Sequence, residues 1–296
     1  MLNLSTIRSV LFVPGNRPDR VSKALASPAD LVCIDLEDSV LPESKPEARN
    51  SLLQTLARGP TDRLAVRVNA VTTRAGLEDL LALSGAEYRP MLVFVPKVQA
   101  GTELTVVAGA FGPACVAVVP LIESAEGLGN ADDIARTPGC VAVMFGGADF
   151  AADIGATTEW DSLLLARSLI VRAAARARIP AIDVPLLSVN DSAGLADETR
   201  RARALGFTAK AAIHPSQLEA IHRIFHPTTD EVSQARAALA AFHAAGSGVM
   251  VFNGKMLDAP VVRHYERILS LASADRMPPR PLRGEQDRGG RLLDAL

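Results

Sequence analysis

Cys115–Asp149 reads CVAVVPLIESAEGLGNADDIARTPGCVAVMFGGAD. Two apolar runs, Cys115–Glu123 and Cys140–Asp149, flank a helix-like stretch at Gly129–Arg136, and each run closes on a carboxylate. A nearly continuous apolar run is the pattern of a strand covered on both faces, as in a parallel sheet between helices. Six more such runs occur: Ser9–Gly15 (SVLFVPG), Leu31–Asp38 (LVCIDLED), Arg63–Asn69 (RLAVRVN), Met91–Lys97 (MLVFVPK), Ala181–Ser188 (AIDVPLLS) and Ala209–His214 (AKAAIH). Helix-like stretches lie at Pro18–Ala26, Pro42–Arg58, Ala75–Leu83, Thr102–Ala110, Ser162–Arg178, Ala193–Leu205 and Pro215–Phe225. Eight alternating units predict an α/β fold, a (β/α)8 TIM barrel with right-handed crossovers. The alternative, an open doubly wound sheet, is disfavoured by the count and by the lack of a GxGxxG opening the first helix.

Residues 1–227 are thus expected to form the barrel. Beyond it, Thr229–Ala245 reads as an amphipathic helix, Gly246–Asp258 as a glycine-bearing turn or hairpin and Ala259–Ala272 as a final helix. Residues 228–273 exceed what a barrel needs and are expected to be a C-terminal helical lid and oligomerisation arm. Residues 274–296, rich in Pro, Arg and Gly, are expected to be a disordered tail.

The 296 residues are 48% hydrophobic and 22% charged, an ordinary globular balance long enough for one large barrel. A net charge of −2 and 4% aromatics give no electrostatic or stacking case for nucleic acid or a membrane surface. Cys33, Cys115 and Cys140 lie in or at the start of apolar runs without CxxC spacing, so they read as small buried hydrophobes in a reducing, cytoplasmic setting. No run approaches a membrane span, and the first residues show no secretory-leader pattern.

In such barrels the chemistry sits at the C-terminal ends of the strands. Glu123 and Asp149 at neighbouring strand tips, on strands about 4.8 Å apart, can share one hard cation. An incomplete set of oxygen ligands suits Mg²⁺. Capping of the following helices is their simpler role. Glu37 and Asp38, with Asp35 in the same run, are costly in an apolar setting unless paired or hydrated. They can hold metal-bound waters, pair with a neighbouring cation, or do both. Arg67, inside a strand, needs an anion: a substrate carboxylate or carbonyl, or the DLED acids. Lys97 reads as a charge partner for those acids, with imine chemistry a minor alternative. Arg17, Arg20 and Lys23 oppose the dipole of a helix start and so point to a bound anion. His214 reads equally as a structural hydrogen-bonder or a catalyst, and Asp258 as a helix cap or a lid acid.

Several of these segments carry a family resemblance. RSVLFVPGNRPDR, DLEDSVLPESKPEAR, VRVN, PLIESAEGLGNADDIA, FGGADFAADIG, LGFTAKAAIHPSQ and GKMLDAP resemble the citrate lyase β-subunit-like proteins of the HpcH/HpaI aldolase group, relatives of malyl-CoA and citramalyl-CoA lyases. The resemblance runs from about Arg8 to Arg267. It implies a Mg²⁺-dependent C–C lyase that cleaves a malyl-, citramalyl- or citryl-type 3-hydroxyacyl-CoA into a 2-oxo acid and an acyl-CoA through an enolate. It implies Glu123 and Asp149 as metal ligands and Arg67 on the substrate's carbonyl or enolate oxygen. Phe12, Arg17 and Lys23 would line the CoA entrance, and Asp258 would be a lid acid given to an adjacent protomer in a homotrimer or homohexamer. Glu37 and Asp38 complete the expected catalytic set. Three other activities fit the same residues: a thioesterase or malate-synthase-like enzyme, a CoA-free 2-oxo-acid aldolase, and a citrate lyase β subunit acting on a carrier-bound acyl group.

Overall fold

Strand pairing runs in chain order and closes on itself: β1 (Ser9–Pro14), β2 (Leu31–Asp35), β3 (Leu64–Arg67), β4 (Leu92–Val95), β5 (Ala117–Ile122), β6 (Val143–Phe145), β7 (Ala181–Asp183) and β8 (Ala209–Ala212), with β8 beside β1. All neighbours are parallel, which makes a (β/α)8 barrel. The computed structural model describes residues 4–59, 62–112, 116–246 and 248–274. Cys115 and residues 275–296 of the expected tail lie outside the described residues.

Around the strands lie α1 (Pro18–Ala26), α2 (Lys45–Leu56), α3 (Arg74–Ser84), α4 (Gly101–Phe111), α5 (Ala125–Gly129), α6 (Ala131–Arg136), α7 (Gly147–Ile154), α8 (Trp160–Ala177), α9 (Ser192–Leu205) and α10 (Leu218–Phe225). Side chains alternate across the sheet. Val10, Leu31, Cys33, Ala65, Phe94, Leu121, Met144 and Ile182 fill the barrel interior. Leu11, Val32, Ile34, Val66, Val93 and Phe145 face outward and pack with the helices. The same alternation turns Asp35 and Arg67, at the last positions of β2 and β3, into the mouth of the barrel. Register makes them direct neighbours.

Several strands are shorter than their apolar runs. β2 ends at Asp35 because its carboxylate accepts the N–H groups of Glu37 and Ser39, curling Leu36–Asp38 out of the sheet. β6 is only three residues long. Asp149 therefore does not close a strand. It lies in the first turn of α7, a helix the sequence reading did not foresee, where the dipole favours an acid. The stretch Gly129–Arg136 is α6 preceded by the short α5, the two divided at Asn130.

Contacts divide the chain after His226 into two compact units. In the second, α11 (Thr229–Ala244), the antiparallel hairpin β9 (Met250–Phe252) and β10 (Lys255–Leu257), and α12 (Ala259–Ala274) pack around Ala238, Leu257 and Val262. Asn253 and Gly254, both at positive φ, form the tight two-residue turn. No helix among the described residues is long and apolar enough to cross a membrane.

Candidate active site

A cavity of about 450 Å³ opens at the C-terminal ends of the strands. Phe12, Asp35, Asp38, Arg67, Glu123 and Asp149 line it, together with an apolar wall that includes Leu121, Met144, Val184, Pro185 and Ile213.

Arg67 is the hub. Its Nε and Nη2 each donate to Asp35 at 2.7 Å, in the two-pronged geometry peculiar to guanidinium and carboxylate. Nη1 lies 3.0 Å from Glu37 and 3.6 Å from Asp38. The guanidinium also sits over the Phe12 ring, 5.4 Å from its centroid. Burial opposes ionisation of Asp35, but the pairing with Arg67 outweighs it and holds the carboxyl below the usual range.

Glu37 is 5% exposed and lies between Arg67 and Lys97, whose Nζ is 2.8 Å away. Neither contact has the directed geometry of a hydrogen bond. Burial pushes the Glu37 carboxyl up to about 7 despite the two cations. Lys97 is the charge partner of Glu37 and Asp38. Burial would lower its ammonium, yet the pairing with Glu37 holds it above the ordinary value, the opposite of what an imine-forming lysine needs.

Lys97 has a second use. Its backbone adopts φ +56°, and its N–H donates to Glu123 Oε2 at 2.9 Å. Glu123, one residue past β5, is 4% exposed. Burial, then the charges of Glu37 and Asp149, raise its carboxyl to about 8. A Cβ at residue 146 would sit 2.2 Å from Glu123 Cγ, so Gly146 is what lets this side chain enter the mouth.

No lysine or arginine nitrogen pairs with Glu123 or Asp149 among the described residues. The mouth holds five carboxyl groups (Asp35, Glu37, Asp38, Glu123, Asp149), of which Arg67 and Lys97 pair with three, while Arg20 lines the cavity without an ion pair among the described residues. A raised carboxyl without an ion pair, beside a second one, fits a divalent ion. No group of three His, Cys, Asp or Glu converges into a full cage among the described residues. That suits Mg²⁺, which binds through one or two carboxylates and keeps several waters.

Other expected residues lie elsewhere. Arg17 is exposed and pairs with Asp19 at 3.0 Å. Lys23 is in the last turn of α1, so it is not a cation of the helix start. Neither lines the cavity, whereas Arg20 does. His214 accepts the Ser216 N–H and caps a 3-10 turn. Asp258 accepts the Val261 N–H at 3.2 Å, the cap of α12. Cys33, buried, and Cys140, half-buried against the core, are free, and burial raises both thiols, Cys140 to about 12, which leaves them unreactive.

Sequence reading missed Lys45, Asn69 and Gln217. Gln217 ties the ends of two strands together, donating to Leu186 O and accepting from Ile213 N. Its only signal was its place two residues after a proline in AIHPSQ.

Residues 8–215 match the family described as HpcH/HpaI aldolase/citrate lyase. The chain belongs to this family. A second match, to C–C bond lyases of the TIM-barrel fold, covers residues 170–275. The human mitochondrial citramalyl-CoA lyase is 33% identical over 90% of this chain and 86% of its own length. The citrate lyase subunit beta-like protein of Mycobacterium tuberculosis (strain CDC 1551 / Oshkosh) is 35% identical over 88% of this chain and 94% of its own. Among solved structures, CitE of M. tuberculosis in complex with magnesium, acetoacetate and coenzyme A superposes with a TM-score of 0.79 at 35% identity, covering 90% of this chain and 98% of that one. The chain is a carbon–carbon lyase of the citrate lyase β and citramalyl-CoA lyase family.

Proposed function

We propose that the protein is a Mg²⁺-dependent lyase that splits a 3-hydroxyacyl-CoA of the malyl, citramalyl or citryl type into a 2-oxo acid and an acyl-CoA. The observation that carries this reading is the unpaired carboxylate couple, Glu123 and Asp149, beside a fixed arginine in an apolar-walled cavity. The magnesium, acetoacetate and coenzyme A bound to the related CitE support it.

Glu123 and Asp149 would hold the ion. When bound, Mg²⁺ supplies a Lewis acid for the oxo and carboxylate oxygens of the 2-oxo-acid half. The chain's own residues do the rest. A base takes the 3-hydroxyl proton, the C2–C3 bond breaks, and its electron pair becomes the thioester enolate. Asp35 holds two nitrogens on one edge of Arg67, so the guanidinium cannot swing and meets the enolate oxygen without reorganising. Reprotonation at carbon gives the acyl-CoA. Glu37 and Asp38, held by Arg67 and Lys97, would accept hydrogen bonds from water bound to the ion. Phe12 and Arg20 meet the CoA arm at the rim, with Arg17 just before α1 and Lys23 further along it.

Asp258 is proposed as the proton-handling acid, delivered to the mouth of a neighbouring protomer in a homotrimer or homohexamer. The second unit would then be lid and assembly arm in one. With two free thiols among the described residues, we place the enzyme in the reducing cytoplasm. Asp258→Ala is expected to lower kcat far more than it weakens CoA binding. Loss of its helix cap costs about 1 kcal/mol. An equal fall in both parameters would leave the cap as its whole role.

The deciding assay presents malyl-, citramalyl- and citryl-CoA with and without Mg²⁺ and scores 2-oxo acid and free thiol separately. Oxo acid with intact acyl-CoA is the expected result and names the substrate. Free thiol without oxo acid would make the enzyme a thioesterase. No reaction with any CoA ester would point to a carrier-bound acyl group or a CoA-free oxo acid.

A further inference from the structure

We propose that Lys45 is a positioning residue for the acid turn of the active site, acting through the backbone of Leu36 and Glu37 with Asn69 and Asp79 behind it. Lys45 opens α2, where an ammonium faces the unfavourable end of the helix dipole. Its side chain turns back instead. The three protons of Nζ meet three neutral oxygens: Leu36 O at 3.0 Å, Glu37 O at 2.9 Å and Asn69 Oδ1. No carboxylate pairs with it among the described residues. A half-buried cation is thus committed to two carbonyls of the turn that carries Glu37.

Asn69, 4% exposed just past β3, shares the task. Its Nδ2 donates to Leu36 O at 3.0 Å and to Asp79 Oδ2 at 2.7 Å, and its backbone N–H donates to the same carboxylate oxygen. Asp79, fully buried on α3, is braced by Arg49 Nε at 2.8 Å. The helix comes this close because residue 76 is glycine. A Cβ there would lie 2.2 Å from Ala70 O.

The turn is therefore clamped from both sides. Asp35 holds the Glu37 and Ser39 amides from within, and Lys45 and Asn69 hold the Leu36 and Glu37 carbonyls from without. Asp35 is also what locks Arg67. Releasing the outer clamp lets Glu37 drift from Arg67 and Lys97 and loosens the arginine's own anchor. A shift of about 1 Å in such a group can cost about 100-fold in rate. The consequence for turnover rests on the lyase reading above. The clamp itself does not.

The test is Lys45→Met, which keeps the stem and removes the ammonium, read in two ways. Amide hydrogen exchange is expected to be at least about tenfold faster at Glu37, Ser39 and Val40, with the amides of β5 unchanged. In the lyase assay, kcat is expected to fall about 10- to 100-fold, with KM and Mg²⁺ affinity within about threefold. Lys45→Met added to Glu37→Gln is expected to cost little beyond Glu37→Gln alone, because both act through one carboxylate. Unchanged exchange in the turn overturns the proposal whatever the activity. A full multiplicative loss in the double variant also overturns it, since Lys45 would then act elsewhere. A wild-type protein inactive on every thioester would sink the lyase reading and leave the exchange result to decide the clamp. If Lys45→Met does not fold, Asn69→Ser removes the neighbouring contacts and is read in the same way.

Discussion

Two clusters of charge in the barrel unit can be set side by side. Between β7, β8, α8 and α9, two cations meet two carboxylates: Lys210 Nζ donates to Asp183 (2.7 Å), Glu198 (2.6 Å) and Val184 O (2.7 Å), and Arg167 Nε donates to Asp183 (2.9 Å). Trp160 and Phe145 cover the guanidinium at 4.4 and 5.4 Å. Asp183 and Lys210 have no exposure at all. At the mouth, five carboxyl groups face three cations, only two of which, Arg67 and Lys97, pair with any of them, and two of the carboxyls are pushed up to about 7 and 8. A buried charge is tolerable when its partners are present. The first cluster has them within the chain, so it serves the fold. The second is short of positive charge, and a divalent ion with its substrate would supply it.

This contrast is open to attack by mutation, and the largest expected effect is at the mouth. Asp149→Ala should cut Mg²⁺-dependent turnover by at least about 10³-fold, because one of the two proposed carboxylate ligands would be lost. The melting profile without metal should be unchanged or slightly improved, since like-charge repulsion on Glu123 is relieved. Wild-type-like rates would remove the metal assignment and, with it, the functional meaning of the charge deficit.

The balanced cluster should respond the other way. Asp183→Asn strips Lys210 and Arg167 of their shared carboxylate and should cost about 3–5 kcal/mol of stability by denaturant unfolding. That is a large share of a typical domain's total. The fraction that remains folded should turn over substrate at close to the native kcat. A fall in kcat without a loss of stability would mean that this cluster, too, belongs to catalysis.

The third consequence concerns protons. Glu123 titrates near 8 in the metal-free protein, raised by burial and then by Glu37 and Asp149. A carboxyl raised on folding favours the folded state below its unfolded value. That advantage is lost as pH climbs through the folded one, here between the usual carboxylate range and about 8. Mg²⁺ needs the ionised form, so its affinity should rise with pH up to about tenfold per unit and level off above about 8. Calorimetry in two buffers of different ionisation enthalpy should show proton release on Mg²⁺ binding at pH 7. No release would mean that Glu123 is already ionised or is not a ligand.

How much of this was legible in the chain follows from the same physics. The barrel was, because parallel strands buried on both faces must be apolar throughout, and Cys115–Glu123 and Arg63–Asn69 announce themselves that way. Glu123 and Arg67 were legible for the complementary reason: a charge at the end of such a run is costly and needs a purpose. What was hidden depends on backbone direction. Nothing in GGAD says that the strand stops at Phe145 and that Asp149 rides on a helix. The left-handed turn of Lys97 toward Glu123 leaves no trace in composition, since non-glycine residues seldom adopt it. Nothing in PESKPEAR sets Lys45 apart from other helix cations. Its carbonyl partners lie eight and nine residues back, across a turn whose shape only the fold decides.

The smallest effect sharpens the contrast at single residues. Arg17 and Arg20 look equivalent in GNRPDR, yet Arg17 is already paired with Asp19 while Arg20 lines the cavity with no carboxylate partner among the described residues. Lys23 starts three residues further along α1, about 4.5 Å down the helix from the mouth. If unmatched charge marks function here, Arg20→Ala should raise KM for the CoA ester about three- to tenfold, the range of one exposed ionic contact, and the effect should shrink in high salt. Arg17→Ala should change it by less than about twofold, because the guanidinium it removes was serving Asp19. Equal effects would show that local pairing does not withdraw a cation from the ligand. The rule separating the two buried clusters would then fail at the surface, where screening levels such differences.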